Sequence, residues 1–272
     1  QIKKNFMDNL EIYCVTDKEL PFLEKTNYKL AAVGTGKFSS RYIKCDDKDN
    51  IYYKEKNYSE LTFHYWFWKN ELINKDNDTW FGFCQKRRFW LNSRQETLTN
   101  NILDIIIKKA PKEWDYYEAV ICEPIVLGTK LSKLLKRGWK NILKKPGLLF
   151  NHRNISLKLQ FDMNHGHNVL DKAINVMNIK DREDFRNFVN KKNSYNPHIM
   201  FVAKKDLLNR YFQDQFDWLA KCEEVFGFKN LKNYDQTRLY AFLAERFTSF
   251  WFKKYCKVIE WPWIFYEENK KV

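Results

Sequence analysis

Short apolar runs separated by polar stretches mark the positions of the strands. Residues 11–16 (EIYCVT) and 28–34 (YKLAAVG) are predicted to be buried strands. The continuous runs at 79–84 (TWFGFC) and 118–124 (EAVICEP) are typical of strands in a parallel sheet that is covered on both faces. A further strand is predicted at 198–203 (HIMFVA).

Helical patterns lie between and after these runs. Residues 59–73 carry apolar side chains on every face, which predicts a helix buried on both sides. Asn57 and Glu60 are spaced as a capping box at the start of this helix. Two later helices are predicted, an amphipathic one at 205–226 that ends before a glycine and a last one at 236–255.

Two segments between residues 129 and 195 differ from the rest. Residues 129–145 predict one basic amphipathic helix, with leucines and Trp139 on one face and lysines on the other. Residues 151–195 are polar, carry several histidines and contain the cluster DMNHGH at 162–167. The alternation of strands and helices along the chain predicts an α/β fold with a largely parallel sheet in a single domain over residues 1–272.

Composition excludes several classes of protein. Apolar residues make up 44% of the chain and aromatic residues 17%, far more than in disordered proteins. No run of about eighteen apolar residues predicts a membrane-spanning helix, and the first residues lack a signal-peptide pattern. The six cysteines are scattered without a C-x-x-C pair, so we expect reduced thiols in a cytoplasmic protein and neither a zinc finger nor a disulfide scaffold.

The net charge of +14 predicts an anionic partner, which leaves nucleic acid, a membrane surface and phosphorylated small molecules as alternatives. The many aromatic residues suit a core, a sugar-binding surface or stacking on bases. A nucleic-acid-binding protein is therefore one hypothesis, although the sequence contains no RRM, KH or helix-turn-helix signature.

Sheet topology indicates where a ligand binds, because open α/β sheets bind ligands beyond the carboxyl ends of their strands. The first two predicted strands are followed by Thr16 and Lys18 and by Gly34, Gly36 and Lys37. The third ends in Gln85-Lys86-Arg87-Arg88 and the fourth at Glu123. Basic residues at three of these four ends favour a ligand that carries phosphate.

Known catalytic motifs are largely absent. GTGKFSS at 34–40 departs from the P-loop pattern, because Ala31 stands at the first glycine position and Phe38 follows Lys37. The chain has neither G-x-S-x-G nor H-E-x-x-H. His165 and His167 are candidates for a base or an acceptor contact, and the alternatives are an exposed polar turn or a metal ligand pair.

Two neighbouring segments resemble a bacterial glycosyltransferase-like family from capsule and O-antigen gene clusters, long catalogued as a domain of unknown function. The family's patterns are N-x-x-E-L-T, Y-W-x-W-K-N and G-x-C-H-Y-R-R. The matching residues are Asn57, Glu60, Leu61 and Thr62; Tyr65, Trp66, Trp68, Lys69 and Asn70; and Gly82, Cys84, Arg87 and Arg88. The chain departs from the third pattern, because Gln85-Lys86 replaces His-Tyr.

This resemblance implies a GT-A-like fold and transfer of a sugar from a nucleotide diphosphate, most simply a UDP-sugar, to a capsular or lipopolysaccharide acceptor. Residues 10–125 would form the nucleotide-sugar half and 126–272 the acceptor half, with no nucleic-acid partner. A catalytically inactive protein with the same fold is the alternative. Because the predicted helix at 129–145 is basic and amphipathic, we also expect the protein to contact the cytoplasmic face of an anionic membrane peripherally.

The resemblance and the strand ends together assign roles to individual residues. The residues expected to bind the nucleotide-sugar are Thr16, Lys18, Gly34, Gly36, Asn57, Glu60, Lys86, Arg87 and Arg88. The residues expected on the acceptor side, including the base, are Asp162, His165, His167 and Asp235. No divalent metal is expected to be required, because basic side chains occupy the place of the usual D-x-D motif; Glu123, Asp76 and Asp78 are the fallback ligands for Mn²⁺ or Mg²⁺.

Overall fold

The computed structural model of the chain describes residues 9–94, 101–150 and 152–267. The strands are β1 (Leu10–Thr16), β2 (Lys29–Ala32), β3 (Tyr42–Lys44), β4 (Trp80–Gln85), β5 (Arg88–Trp90), β6 (Ala119–Cys122), β7 (Ile125–Val126), β8 (Ser194–Tyr195), β9 (Phe201–Lys204), β10 (Val258–Trp261) and β11 (Trp263–Phe265). The α-helices are α1 (Glu55–Tyr58), α2 (Leu61–Trp66), α3 (Ile102–Ile105), α4 (Leu131–Arg137), α5 (Trp139–Lys144), α6 (Leu157–His165), α7 (Val169–Asn175), α8 (Ile179–Lys191), α9 (Lys205–Phe226), α10 (Asn233–Thr237) and α11 (Leu239–Tyr255). Short 3₁₀ turns cover Pro21–Lys25, Tyr52–Lys54, Leu72–Asn74, Lys112–Tyr116 and Pro146–Leu149, and a π-helical turn covers Phe67–Glu71.

The central sheet has the strand order β10-β6-β9-β4-β1-β2-β3. β9 is antiparallel to both of its neighbours, and the other pairs along this path are parallel. β5 folds back on the end of β4 and pairs with β11. This arrangement confirms the α/β class with a mostly parallel sheet, and it draws strands from both predicted halves of the chain.

Apolar side chains cover both faces of the sheet. In β1, Tyr13 and Val15 join the core under α2, α9 and α11, whereas Ile12 and Cys14 join the core on the opposite face. Burial on both faces explains why the strands are continuous apolar runs instead of alternating ones. Gly82 in β4 is required by close packing, because a Cβ atom there would overlap Ile12 Cδ1.

Most of the tryptophans belong to these cores. Eight of the ten are buried, namely Trp66, Trp68, Trp80, Trp90, Trp114, Trp218, Trp251 and Trp261. Trp139 differs, with 51% of its surface exposed. The aromatic content is therefore explained mainly by packing, and Trp139 needs a separate explanation.

The predicted capping box of Asn57 and Glu60 is wrong. The chain turns sharply at Ser59, which has φ 54°, so that α1 ends before α2 begins. Neither helix has a side-chain hydrogen bond at its N-cap. The Asn57 amide instead donates to the carbonyl of Thr237 at 2.6 Å, and the Glu60 carboxylate accepts from Gln85.

The predictions for residues 129–195 also need correction. The expected helix at 129–145 is interrupted at Gly138, where a Cβ atom would lie 2.7 Å from Leu134 Cδ1. The polar segment after it contains α6, α7 and α8. α8 was missed because few apolar residues mark its buried side: Phe185 and Val189 are buried in a helix that is otherwise mostly charged or amide-bearing.

Among the described residues, no helix is long and apolar enough to cross a membrane. The six cysteines are free, and all but Cys256 are buried.

Candidate active site

An open pocket of about 670 Å³ lies at the carboxyl edge of the parallel strands. Val15, Val33 and Gln85 line it from the ends of β1, β2 and β4, and the opposite wall comes from α6, α10 and α11. This is the position that sheet topology predicts for a ligand. The pocket lining includes seven basic residues: Lys86, Arg87, Arg88, Lys133, Arg137, Arg238 and Arg246.

The turn between β4 and β5 brings three of these cations to the pocket. Lys86 pairs with Asp17, and Arg87 lies 3.3 Å from Glu267. Arg88 Nη1 donates to Gln85 Oε1 at 2.9 Å. The Nε atoms of Arg87 and Arg88 are buried and have no hydrogen-bond partner within the described part of the chain. Guanidinium donors in this state suit the oxygens of an anionic ligand such as a phosphate.

Gln85 connects three elements around the pocket. Its amide nitrogen donates to Glu60 at the start of α2 and, at 2.7 Å, to the carbonyl of His198 before β9. Burial raises the pKa of Glu60. Burial also lowers the pKa of Arg88, and the positive charge of Arg87 lowers it further. Gln85 therefore ties the end of β4 to the start of α2 and to the turn before β9.

The turn before β9 has an unusual backbone that sequence reasoning missed. His198 and Ile199 both have positive φ, at 75° and 51°. For a β-branched residue this conformation is strained, and such strain costs on the order of 1–3 kcal/mol and concentrates at functional sites. The turn is held by Glu245, which accepts from the His198 amide at 2.7 Å. Burial and the charge of Arg88 lower the pKa of His198 to about 3.

The opposite wall contains two of the predicted acceptor-side residues. His165 ends α6, and its Nδ1 lies 2.8 Å from the carbonyl oxygen of Asp235. Because a carbonyl only accepts, Nδ1 carries the proton and Nε2 is left as an acceptor. Burial, with a contribution from the charge of Arg246, lowers the pKa of His165 to about 3. The Asp235 carboxylate is 45% exposed and lies 3.9 Å from Arg137.

Asp162 and His167 are not brought to this pocket. They line a second cavity of about 610 Å³ beside the same helix, α6. The Asp162 carboxylate accepts from Lys158 at 2.8 Å, from Asn141 at 2.9 Å and from the Asn168 amide at 3.1 Å. His167 Nδ1 is 3.5 Å from the same carboxylate.

The residues predicted at the first two strand ends mainly shape the loops. The hydroxyl of Thr16, which is buried, accepts from the Lys18 amide at 3.1 Å. Lys18 itself is exposed. Gly34 has φ +75°, and its carbonyl accepts from Tyr52 at 2.5 Å. A Cβ atom on Gly36 would lie 3.0 Å from the carbonyl oxygen of Asp17.

The donor set does not fit a divalent metal held by the protein as in D-x-D enzymes. Within residues 9–94, 101–150 and 152–267, no group of three or more His, Cys, Asp or Glu is arranged to hold a metal ion. Glu123 is 49% exposed near Arg94, and Asp76 and Asp78 precede β4, at the opposite end of this strand from Gln85. Divalent Mg²⁺ or Ca²⁺ needs several oxygen ligands.

Other pocket residues had no clear motif in the sequence. Arg246 is buried, donates to Gln160 at 2.8 Å and lies over the ring of Tyr195. It pairs with the adjacent Glu245. Arg238 lies over Tyr234. The one available signal was the charged pair Glu245-Arg246 inside the apolar run of α11.

Comparisons with known proteins give two matches. A family model described as "Domain of unknown function (DUF4422)" matches residues 11–256. The fold is similar to the apo structure of the WbbM bifunctional glycosyltransferase, with a TM-score of 0.70 and 19% sequence identity. That match covers 95% of this chain and 45% of the other, so this chain spans less than half of that protein. The likeness shows a GT-A-like fold. A comparison with curated proteins gave no match.

Proposed function

Because the chain belongs to the DUF4422 family and has a GT-A-like glycosyltransferase fold, we propose that it is a glycosyltransferase. In this proposal it moves a sugar from a nucleotide diphosphate, most simply a UDP-sugar, to a capsular or lipopolysaccharide acceptor. The observation that carries the proposal is the pocket at the carboxyl edge of β1, β2 and β4, with the unpartnered Nε donors of Arg87 and Arg88 in its lining.

The donor would lie along the sheet edge. The nucleoside would contact the ends of β1 and β2 near Val15, Asp17 and Val33, and the diphosphate would accept from Arg87 and Arg88. Glycosyl transfer leaves negative charge on the departing diphosphate. Fixed guanidinium groups stabilise such charge without reorganising during the reaction. In the proposed transfer these guanidinium groups take the place of a metal ion, because the described residues offer no group of three or more His, Cys, Asp or Glu that could hold one.

The acceptor would enter from the side of α6 and α10. Asp235 is the better candidate for the base, because its carboxylate is half exposed in the pocket. His165, with its pKa near 3, is a weak base at neutral pH and would instead accept a hydrogen bond from the acceptor hydroxyl through Nε2. Asp162 and His167 would contact the acceptor only in the second cavity, on the other side of α6.

A donor screen tests the proposal. We expect thermal stabilisation by one class among UDP-, GDP-, CMP- and dTDP-sugars, by about 2.7 kcal/mol at a hundredfold excess over Kd. The same donor should be slowly hydrolysed, which releases the nucleoside diphosphate (CMP from a CMP-sugar), with and without EDTA. Binding without any turnover, even when acceptor glycans are added, would indicate an inactive protein of this fold. Oligonucleotide binding that weakens steeply with salt and is indifferent to UDP would contradict the proposal.

A further inference from the structure

A row of exposed apolar side chains follows the outer side of α4 and α5. Leu131, Leu135, Trp139 and Leu143 are spaced four residues apart and are 42%, 52%, 51% and 72% exposed. Phe150, shortly after α5, is 92% exposed. The sequence predicted one apolar stripe for this segment, but the structure divides it. Leu134 is buried and Ile142 packs against the core, so the exposed row is a second apolar side with no partner within the described residues.

The same segment is strongly basic. Residues 130–145 contain seven basic residues and no acidic residue. All seven are exposed: Lys130, Lys133, Lys136, Arg137, Lys140, Lys144 and Lys145. Within the described part of the chain, Arg137 has an ion pair, with Asp235, and the six lysines have none. The exposed leucines are thus surrounded by positive charge that the protein does not neutralise.

We propose that this basic apolar face, formed by the apolar row and these lysines, docks on an anionic lipid bilayer. The free energy falls when leucine, tryptophan and phenylalanine side chains enter the boundary between headgroups and acyl chains. Lysines beside them attract anionic headgroups. Nucleic acid explains the face less well, because exposed aliphatic side chains gain little from a phosphate backbone. An anionic lipid surface would contact both the lysines and the apolar row.

α4 connects this face to the pocket. Lys133 and Arg137 line the pocket from the same helix that presents Leu131 and Leu135 outward. A bilayer docked on the face would therefore be separated from the pocket by the width of α4. If the proposed function holds, this position would bring a lipid-linked acceptor close to the acceptor side of the site.

Vesicle sedimentation tests the docking without using activity, so its result does not depend on the proposed function. The full chain is mixed with phosphatidylcholine vesicles with or without phosphatidylglycerol, at low salt and at about 0.15 M salt. We expect binding that requires phosphatidylglycerol and weakens as salt rises. Equal binding to neutral vesicles, or no binding to anionic ones at low salt, would overturn the proposal.

Paired variants locate the binding. Leu135→Ser with Leu143→Ser should weaken vesicle binding by at least about tenfold. The matched control is Ile73→Ser with Ile179→Ser, which are 71% and 82% exposed on other surfaces and should leave binding unchanged.

A second pair tests the charge. Lys140→Gln with Lys144→Gln should weaken binding by about fivefold for each charge removed, whereas Lys221→Gln with Lys229→Gln, exposed on or after α9, should have little effect. Circular dichroism would verify that each variant is folded. Binding that survives both face variants, or that the control pairs reduce equally, would overturn the assignment to this face.

Discussion

Replacement of Arg88 tests whether the β4–β5 turn supplies catalytic charge. Arg88 Nη1 is held by Gln85 at 2.9 Å, while its Nε donor is buried without a protein partner. If the Arg88 guanidinium serves the departing diphosphate, Arg88→Ala should lower kcat by about a hundredfold, which corresponds to about 2.7 kcal/mol for the loss of one preorganised donor. The effect on the Kd for UDP should be smaller, because the charge to be stabilised develops in the transition state.

The expected effect on stability is small. The variant removes one hydrogen bond to Gln85, which is worth about 1 kcal/mol. It also removes the burial of a cation and its repulsion by Arg87, the two causes that lower the pKa of Arg88. These contributions oppose each other, so we expect Tm to change by no more than about 4 °C. A large loss of activity at nearly constant Tm would separate catalysis from folding.

The assay is release of UDP from the donor that the screen identifies, with Kd for UDP from calorimetry. Arg88→Lys should restore part of the rate, because a point charge cannot reproduce the two-pronged contact of a guanidinium. Arg186→Ala is the matched control, since Arg186 lies on α8 outside the pocket lining and pairs with Glu183 at 3.4 Å. A folded Arg88→Ala variant whose kcat stays within threefold of the original would refute the role of this turn.

Three further predictions concern metal, pH and packing. Turnover should be unchanged by EDTA, because the strand end at residues 85–88 offers cations instead of carboxylates; inactivation by EDTA and recovery with Mn²⁺ would show the opposite. Burial lowers the pKa of His64, His165 and His198 to about 3, so the unfolded chain, with pKa near 6.5, binds protons first as pH falls. The free energy of unfolding, which has its full value above pH 6.5, should therefore fall by about 1.4 kcal/mol for each of these histidines between pH 7.5 and 5.5. His64→Leu should remove about a third of this pH dependence, as measured by urea unfolding. Gly82→Ala should destabilise the fold by about 1–3 kcal/mol in the same assay, because the added methyl group overlaps a neighbouring strand; an unchanged midpoint would mean that the sheet relaxes around it.

Much of the sheet could be predicted from local pattern. β1, β4 and β6 lie within one or two residues of the predicted runs, because a strand that is buried on both faces must be apolar throughout. The orientation of β9 could not be predicted in this way. An apolar run has the same composition whichever direction it takes in the sheet, so its antiparallel pairing with β4 and β6 depends on how the chain returns to it.

The candidate site, too, could be predicted only in part. The strand end at Gln85–Arg88 was predicted, since the ends of neighbouring parallel strands meet at one edge. The cluster at 162–167 was predicted as a unit, but it is split between two cavities. Residues four apart on a helix share a face and residues two apart do not. Lys158 and Asp162 therefore line the second cavity, while Gln160 and Asn164 line the pocket.

The sequence by itself determined the class of fold, the edge of the sheet at which the pocket opens and the basic character of that edge, since each follows from short-range pattern and charge. Only the tertiary structure decided that Arg238, Glu245 and Arg246 of the C-terminal segment complete the pocket. It also decided that Leu134 turns inward while Leu135 stays exposed. The reason is physical. The packing of whole helices decides which distant segments touch and which apolar side chains are covered. The local sequence of one helix does not specify that packing.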